Sequence, residues 1–99
     1  MKFVDIILPL PLDGLFTYAI PERLESDVCF GVRVSVPFGK SKSYVGMAVK
    51  VHEVEPQFKY KEITAVLDKR PILFLSQYNL WKWISDYYMS SIGDVYKAA

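Results

Sequence analysis

Hydrophobic and polar residues alternate along the first two thirds of the chain, then change to a helical spacing. Val4, Ile6 and Leu8 share one face of a short strand over Phe3–Leu8, and Asp5 interrupts the other face. Pro9 and Pro11 forbid regular ladder pairing, so residues 8–12 should be extended and stiff. Asp13-Gly14 is a turn signal, and Leu15–Ile20 is expected to return as the second strand of a hairpin that Pro21 ends. Residues 22–30 are polar and irregular. Val32, Val34 and Val36 alternate with Arg33 and Ser35, the plainest two-residue repeat in the sequence. A loop over Pro37–Ser43 follows, and then Val45, Met47, Val49 and Val51 alternate with Gly46, Ala48, Lys50 and His52. These two strands predict an antiparallel hairpin with a basic tip. After a polar loop containing Pro56, Ile63–Leu67 reads as a fifth strand.

From Ser76, a plausible N-cap, the repeat lengthens to that of a helix. Leu80, Trp81, Ile84, Tyr87 and Tyr88 fall on one side, and Asn79, Lys82, Ser85 and Asp86 on the other. Ser90–Gly93 breaks this helix, and a second one is expected to start near Gly93 and to run past Ala99. Strands over about 3–68 and helices over about 76–99 predict a mainly β, α+β fold. Its expected form is a small curved or barrel-like (OB-like) antiparallel sheet capped by an aromatic helix, in one domain spanning 1–99. Trp81, Trp83, Tyr87 and Tyr88 are expected to be core residues. The chain stops mid-element, as the opening piece of a longer protein would.

Composition narrows the partners. The 99 residues are 52% hydrophobic and carry 12 Lys plus Arg against 11 Asp plus Glu, a formal net charge of +1. That balance excludes a broad electrostatic DNA clamp and a polyanionic tail. The distribution is uneven. Residues 1–30 carry two bases and five acids (net −3), whereas residues 31–61 carry six bases and two acids (net +4). The lysines of the middle third can therefore form a small basic patch, or simply solvate strand edges. Apolar runs are too short for a bilayer span. A single cysteine, Cys29, excludes an internal disulfide and a cysteine-cluster zinc site, in keeping with a reducing cytoplasmic setting.

Few residues suit catalysis. His52 is the only histidine and is expected to be exposed at the end of its strand. No phosphate-cradle motif and no close acidic pair is present, so the segment is not expected to be an enzyme by itself. Two stretches remain as candidates. Phe38-Gly39-Lys40-Ser41-Lys42 combines a glycine that permits close backbone approach, lysines that attract phosphate, and an aromatic stacking face; it also reads as an ordinary hairpin loop. Leu15-Phe16-Thr17-Tyr18 places Phe16 and Tyr18 on one strand face, either in the core or at a binding surface.

Leu8-Pro9-Leu10-Pro11-Leu12, Phe16-Thr17-Tyr18, Val34-Ser35-Val36-Pro37-Phe38-Gly39-Lys40, Val66-Leu67-Asp68, Asp86-Tyr87-Tyr88 and Ile92-Gly93-Asp94-Val95 occur in that order. The set resembles the N-terminal domain of the bacterial replication-restart helicases of the PriA (primosomal protein N′) family, over nearly the whole chain. The resemblance implies a DNA-binding module that recognises the 3′ end of the nascent leading strand at a stalled fork, taking up the terminal nucleotide in a small pocket. Phe16, Thr17, Tyr18, Gly39, Lys40 and Lys61 are the nucleic-acid-binding residues it points to. Thr17 departs from the family pattern, in which an aspartate stands at this position. The implied partners are forked DNA with a free 3′-hydroxyl and the helicase core of the same chain. Single-stranded-DNA-binding protein and other primosome proteins would be reached through the longer parent, and no membrane is implied. ATP and zinc are expected only for that parent, with no cofactor or metal in this segment. A small β-barrel that docks a neighbouring protein domain is the alternative reading.

Overall fold

A computed structural model describes residues 2–12, 14–53 and 60–99. It contains strands β1 (Lys2–Ile7), β2 (Phe16–Ile20), β3 (Arg33–Phe38), β4 (Lys42–His52) and β5 (Ala65–Val66), then helices α1 (Leu75–Tyr87) and α2 (Ile92–Ala98). A single 3-10 turn, Glu22–Leu24, occupies the stretch expected to be irregular. Asp13, half of the expected turn signal, and the loop around Pro56 lie outside the described residues. The strands form one antiparallel sheet in the order β2-β1-β4-β3-β5, in agreement with the expected fold class.

The β3–β4 hairpin is tighter than its sequence implies. Pro37 and Phe38 pair with Ser43 and Lys42 inside the ladder, so the loop shrinks to Gly39–Ser41. Proline is tolerated there because β5 reaches only Val34 and Ser35, leaving the far end of β3 as an edge. Gly39 turns the chain with φ of 70°, a value that side-chain-bearing residues seldom adopt.

The sheet is strongly curved but not closed. Its register against β4 shifts between Asp5 and Ile6, an irregularity of the kind that sharpens local twist. Curvature brings the two edges together at one point. The Ala19 N–H donates to the Lys61 carbonyl at 2.9 Å, and the Ile63 N–H donates to the Ala19 carbonyl at 3.1 Å. This lone parallel bridge is a seam between the edges.

Alternating apolar residues of β1 and β3 fill the concave face. Val4, Ile6, Ile20, Val34, Val36 and Ile63 are each almost completely buried there. Ile7, Met47, Val49 and Leu73 form a second cluster on the opposite face, against Phe30, Tyr78, Trp81 and Tyr96. β4 is therefore buried on both faces, which its sequence alternation did not announce.

α1 departs most from expectation. It starts at Leu75 after Phe74, and Ser76 is not its cap; the Phe74 N–H is satisfied instead by the Gln77 side chain at 2.9 Å. Tyr78 and Trp81 carry its packing, while Leu80, Trp83, Tyr87 and Tyr88 are more than half exposed. Of the four aromatics expected in the core, only Trp81 is partly buried. α2 is capped by Ser91, whose hydroxyl accepts the Asp94 N–H at 3.1 Å. Among the described residues, no helix is long and apolar enough to cross a membrane.

Arg33 and Asp68 lock β3 to the segment after β5. Asp68 accepts from the Arg33 main chain at 2.9 Å and from its guanidinium at 3.0 and 2.8 Å. These hydrogen bonds, with the attraction of the guanidinium, hold the Asp68 carboxyl below its ordinary value. Its contribution is complete above the unfolded carboxylate value of about 3.9 and is lost as pH falls through the lower folded one. Asp68→Asn is thus expected to melt below the wild type at pH 7, with the gap closing towards pH 2. Parallel thermal melts check this, and a gap that persists unchanged in acid contradicts it.

Candidate nucleic-acid interface

Three segments distant in sequence meet where the curled sheet nearly closes. β2 supplies Phe16, Thr17 and Tyr18, the end of β3 supplies Pro37, Phe38 and Gly39, and the strand-like stretch beyond the seam supplies Tyr60 and Lys61. With Leu15 they line an open concavity of about 450 Å³. Five of the six residues singled out in the sequence are brought together here. Lys40 is not: it lies outside the lining, exposed in the hairpin turn.

Two hydrogen bonds fix the walls, and the first crosses between β2 and β3, which are not sheet neighbours. The Tyr18 hydroxyl donates to the Pro37 carbonyl at 2.8 Å. Burial pushes this phenol above its ordinary value, so it is a neutral donor at physiological pH. The Lys61 ammonium donates to the Gly39 carbonyl at 2.9 Å. Phe16 meets Phe38 edge to face at 5.8 Å, and Phe38 meets Tyr44 likewise at 5.7 Å. Phe16 is only half buried. Tyr18 has gone into the core and Phe16 to the rim, so the two aromatics of one strand face divide the two roles the sequence left open.

Thr17 contributes in a way that its side chain does not advertise. It stands on the face of β2 opposite Phe16 and Tyr18, where its hydroxyl donates to Asp5 Oδ1 at 2.7 Å. The main-chain groups of Thr17 share the side of β2 on which those of Ala19 meet Lys61 and Ile63. They therefore point from the strand edge towards the concavity. His52, expected to be exposed, is also held by Asp5 Oδ1 at 2.9 Å and stacks on Phe3 at 6.0 Å. The carboxylate sits between hydroxyl and imidazole, an order that ties β2, β1 and β4 together rather than activating the hydroxyl.

Among the described residues, Lys61 is the one cation in the lining and no carboxylate joins it. An aromatic rim, main-chain donors and acceptors, and one ammonium can hold a single stacked base with a polar or anionic neighbour. The sequence reading missed Pro37 and Tyr60 as wall residues; adjacency of Tyr60 to Lys61 was the available signal.

Comparison with known proteins gives a consistent picture. A family model described as the 3′DNA-binding domain (3′BD) matches residues 5–99. Replication restart protein PriA of Haemophilus influenzae is 33% identical over 96 residues, which cover 96% of this chain and 13% of that protein. The protein of that name from Rickettsia conorii is 35% identical over 104 residues, covering 98% of this chain and 14% of its own length. That from Bacillus subtilis is 31% identical over 91 residues, covering 87% and 11%. The chain thus spans a small fraction of the length of the curated relatives it matches. Because the family match takes in the sheet from residue 5, the concavity and both helices, the chain belongs to the 3′DNA-binding domain family of replication restart protein PriA.

Proposed function

We propose that this domain binds DNA during replication restart by taking the 3′-terminal nucleotide of a strand into the concavity between Phe16, Gly39 and Lys61. The observation that carries this reading is the convergence of three separate segments on one nucleotide-sized space, rimmed by an aromatic ring and one ammonium. Phe16 offers a face on which any base can stack, a contact that contributes about 1–3 kcal/mol without selecting sequence. Thr17 and Gly39 offer main-chain groups to base and sugar. Lys61, and Lys40 beyond the rim, attract the phosphates next to the end. With one or two phosphate contacts, the log–log salt slope for single strands should be only about −0.7 to −1.4.

The bound end belongs to the nascent leading strand of a stalled fork, where the domain positions the motor of a longer chain. Linked binding by the rest of that chain supplies the affinity that one nucleotide cannot. The work takes place in the cytoplasm and needs no metal or nucleotide cofactor at this site.

Titration of labelled oligonucleotides that end in 3′-hydroxyl or 3′-phosphate tests the proposal. The hydroxyl end should bind more tightly, since a terminal phosphate is bulky for the pocket; equal affinities overturn terminus recognition. Lys61→Ala should weaken all 3′-ended ligands alike, by roughly 3- to 10-fold. Unchanged binding would make Lys61 an edge lysine with a structural bond to Gly39.

A protein-docking role is the second reading. It is favoured by Trp83 and Tyr87, which stack at 5.1 Å on the exposed side of α1. An amide shift map with a short 3′-ended oligonucleotide separates the two. Shifts confined to Phe16–Tyr18, Gly39–Lys42 and Lys61 support DNA binding, and no shifts at high DNA concentration leave docking.

A further inference from the structure

We infer that Asp5 is a positioning residue for the binding edge, acting through Thr17. The inference rests on the reading of the concavity as the DNA site, and it deepens that reading. Asp5 stands on β1, directly opposite Thr17 on β2 and Lys50 on β4. Its side chain is only 19% exposed, an unusual position for a carboxylate flanked by the apolar run Phe3-Val4 and Ile6-Ile7. One oxygen, Oδ1, takes both the Thr17 hydroxyl at 2.7 Å and His52 Nε2 at 2.9 Å.

β2 is an edge strand. Its Ala19 end is fastened on both sides, by β1 and by the seam, whereas its Phe16–Thr17 end pairs with β1 alone. That less supported end carries the aromatic rim and the main-chain groups facing the concavity. A short, charge-assisted bond from the far face fixes it without occupying the space the ligand needs. His52 holds the carboxylate from β4 in turn, so the anchor spans three strands. Lys50 is exposed and makes no ion pair with Asp5 among the described residues.

A double-mutant cycle on the 99-residue chain tests this. Thr17→Val removes the hydroxyl and keeps the shape, and Asp5→Ala removes the acceptor. Affinity is measured for a 3′-ended oligonucleotide and for a circular single strand that has no end; circular dichroism melts monitor folding. Each single variant should lose about 3- to 10-fold in 3′-end affinity while circular-strand affinity stays constant. In the Thr17→Val background, Asp5→Ala should add less than about 2-fold. Asp5→Asn, which keeps an acceptor, should lose less than Asp5→Ala. If Asp5→Ala fails to fold, Thr17→Val decides alone, because it conserves volume.

The inference is overturned if folded Thr17→Val binds 3′ ends as the wild type does, or if the two losses multiply. It is also overturned if circular strands lose as much as ended ones. Wild-type protein that shows no preference for an end removes the proposed function and this inference together. A wild-type preference that the variants leave intact removes this inference only.

Discussion

Gly93→Ala is expected to lower the melting temperature by about 10–20 °C, corresponding to about 2–3 kcal/mol in a domain of this size. The reason is steric and lies in main-chain atoms. A methyl group at position 93 would overlap the carbonyl oxygens of Leu8 and Leu10 and lie 3.1 Å from the Leu10 nitrogen. The Pro9 and Pro11 rings make residues 8–12 too stiff to give way. α2 must then lift from the strand, and Ile92 and Tyr96 leave the second hydrophobic cluster with it. Thermal melts followed by circular dichroism check the shift. An unchanged midpoint would mean that α2 is not seated on Leu8–Leu10. Below its new midpoint the variant should still bind DNA, because neither helix lines the concavity.

The largest binding effect is expected at Phe16. Phe16→Leu keeps apolar volume against Phe38 but removes the ring face, so stability should change little while affinity for 3′-ended strands falls about 10- to 100-fold. Phe16→Ala should lose at least as much affinity and also melt earlier, since it removes the edge-to-face contact at 5.8 Å. Fluorescence anisotropy titrations with oligonucleotides of each terminal base make the comparison. A loss that is similar for all four bases fits stacking. Wild-type affinity in Phe16→Leu would show that no base stacks there.

Particular residues show how far sequence reasoning reached. The strand around Val34 was legible because a half-buried strand imposes a two-residue repeat that a single sequence displays. The candidate segments Phe16–Tyr18 and Gly39 were legible as chemistry, and the resemblance drew Lys61 in; their meeting at one concavity is a property of curvature. The α1 stripe was misplaced because a wheel shows which residues share a side and not which side is turned inward. Tyr78 and Trp81 fixed the inward side here, leaving Leu80 and Tyr87 outside. His52 was misjudged because its partner, Asp5, lies 47 positions away in sequence. Thr17 read as a departure from the family's aspartate; its hydroxyl is engaged behind the strand by Asp5, with its main-chain groups on the side of the concavity.

The seam between Ala19 and Glu62 is a thin join between the two edges of the sheet. Joining those positions closes a long stretch of chain, an entropic cost that the β1–β2 and β3–β4 hairpins do not bear. Two main-chain hydrogen bonds hold that closure, against the longer β1–β2, β1–β4 and β3–β4 ladders. A local opening that breaks them separates Lys61 and Gly39 from β2 while the sheet ladders stay intact. On the proposed function, a nucleotide that touches both walls holds this mouth shut and suppresses such opening. Hydrogen exchange at the Ala19 and Ile63 amides becomes a direct gauge of occupancy.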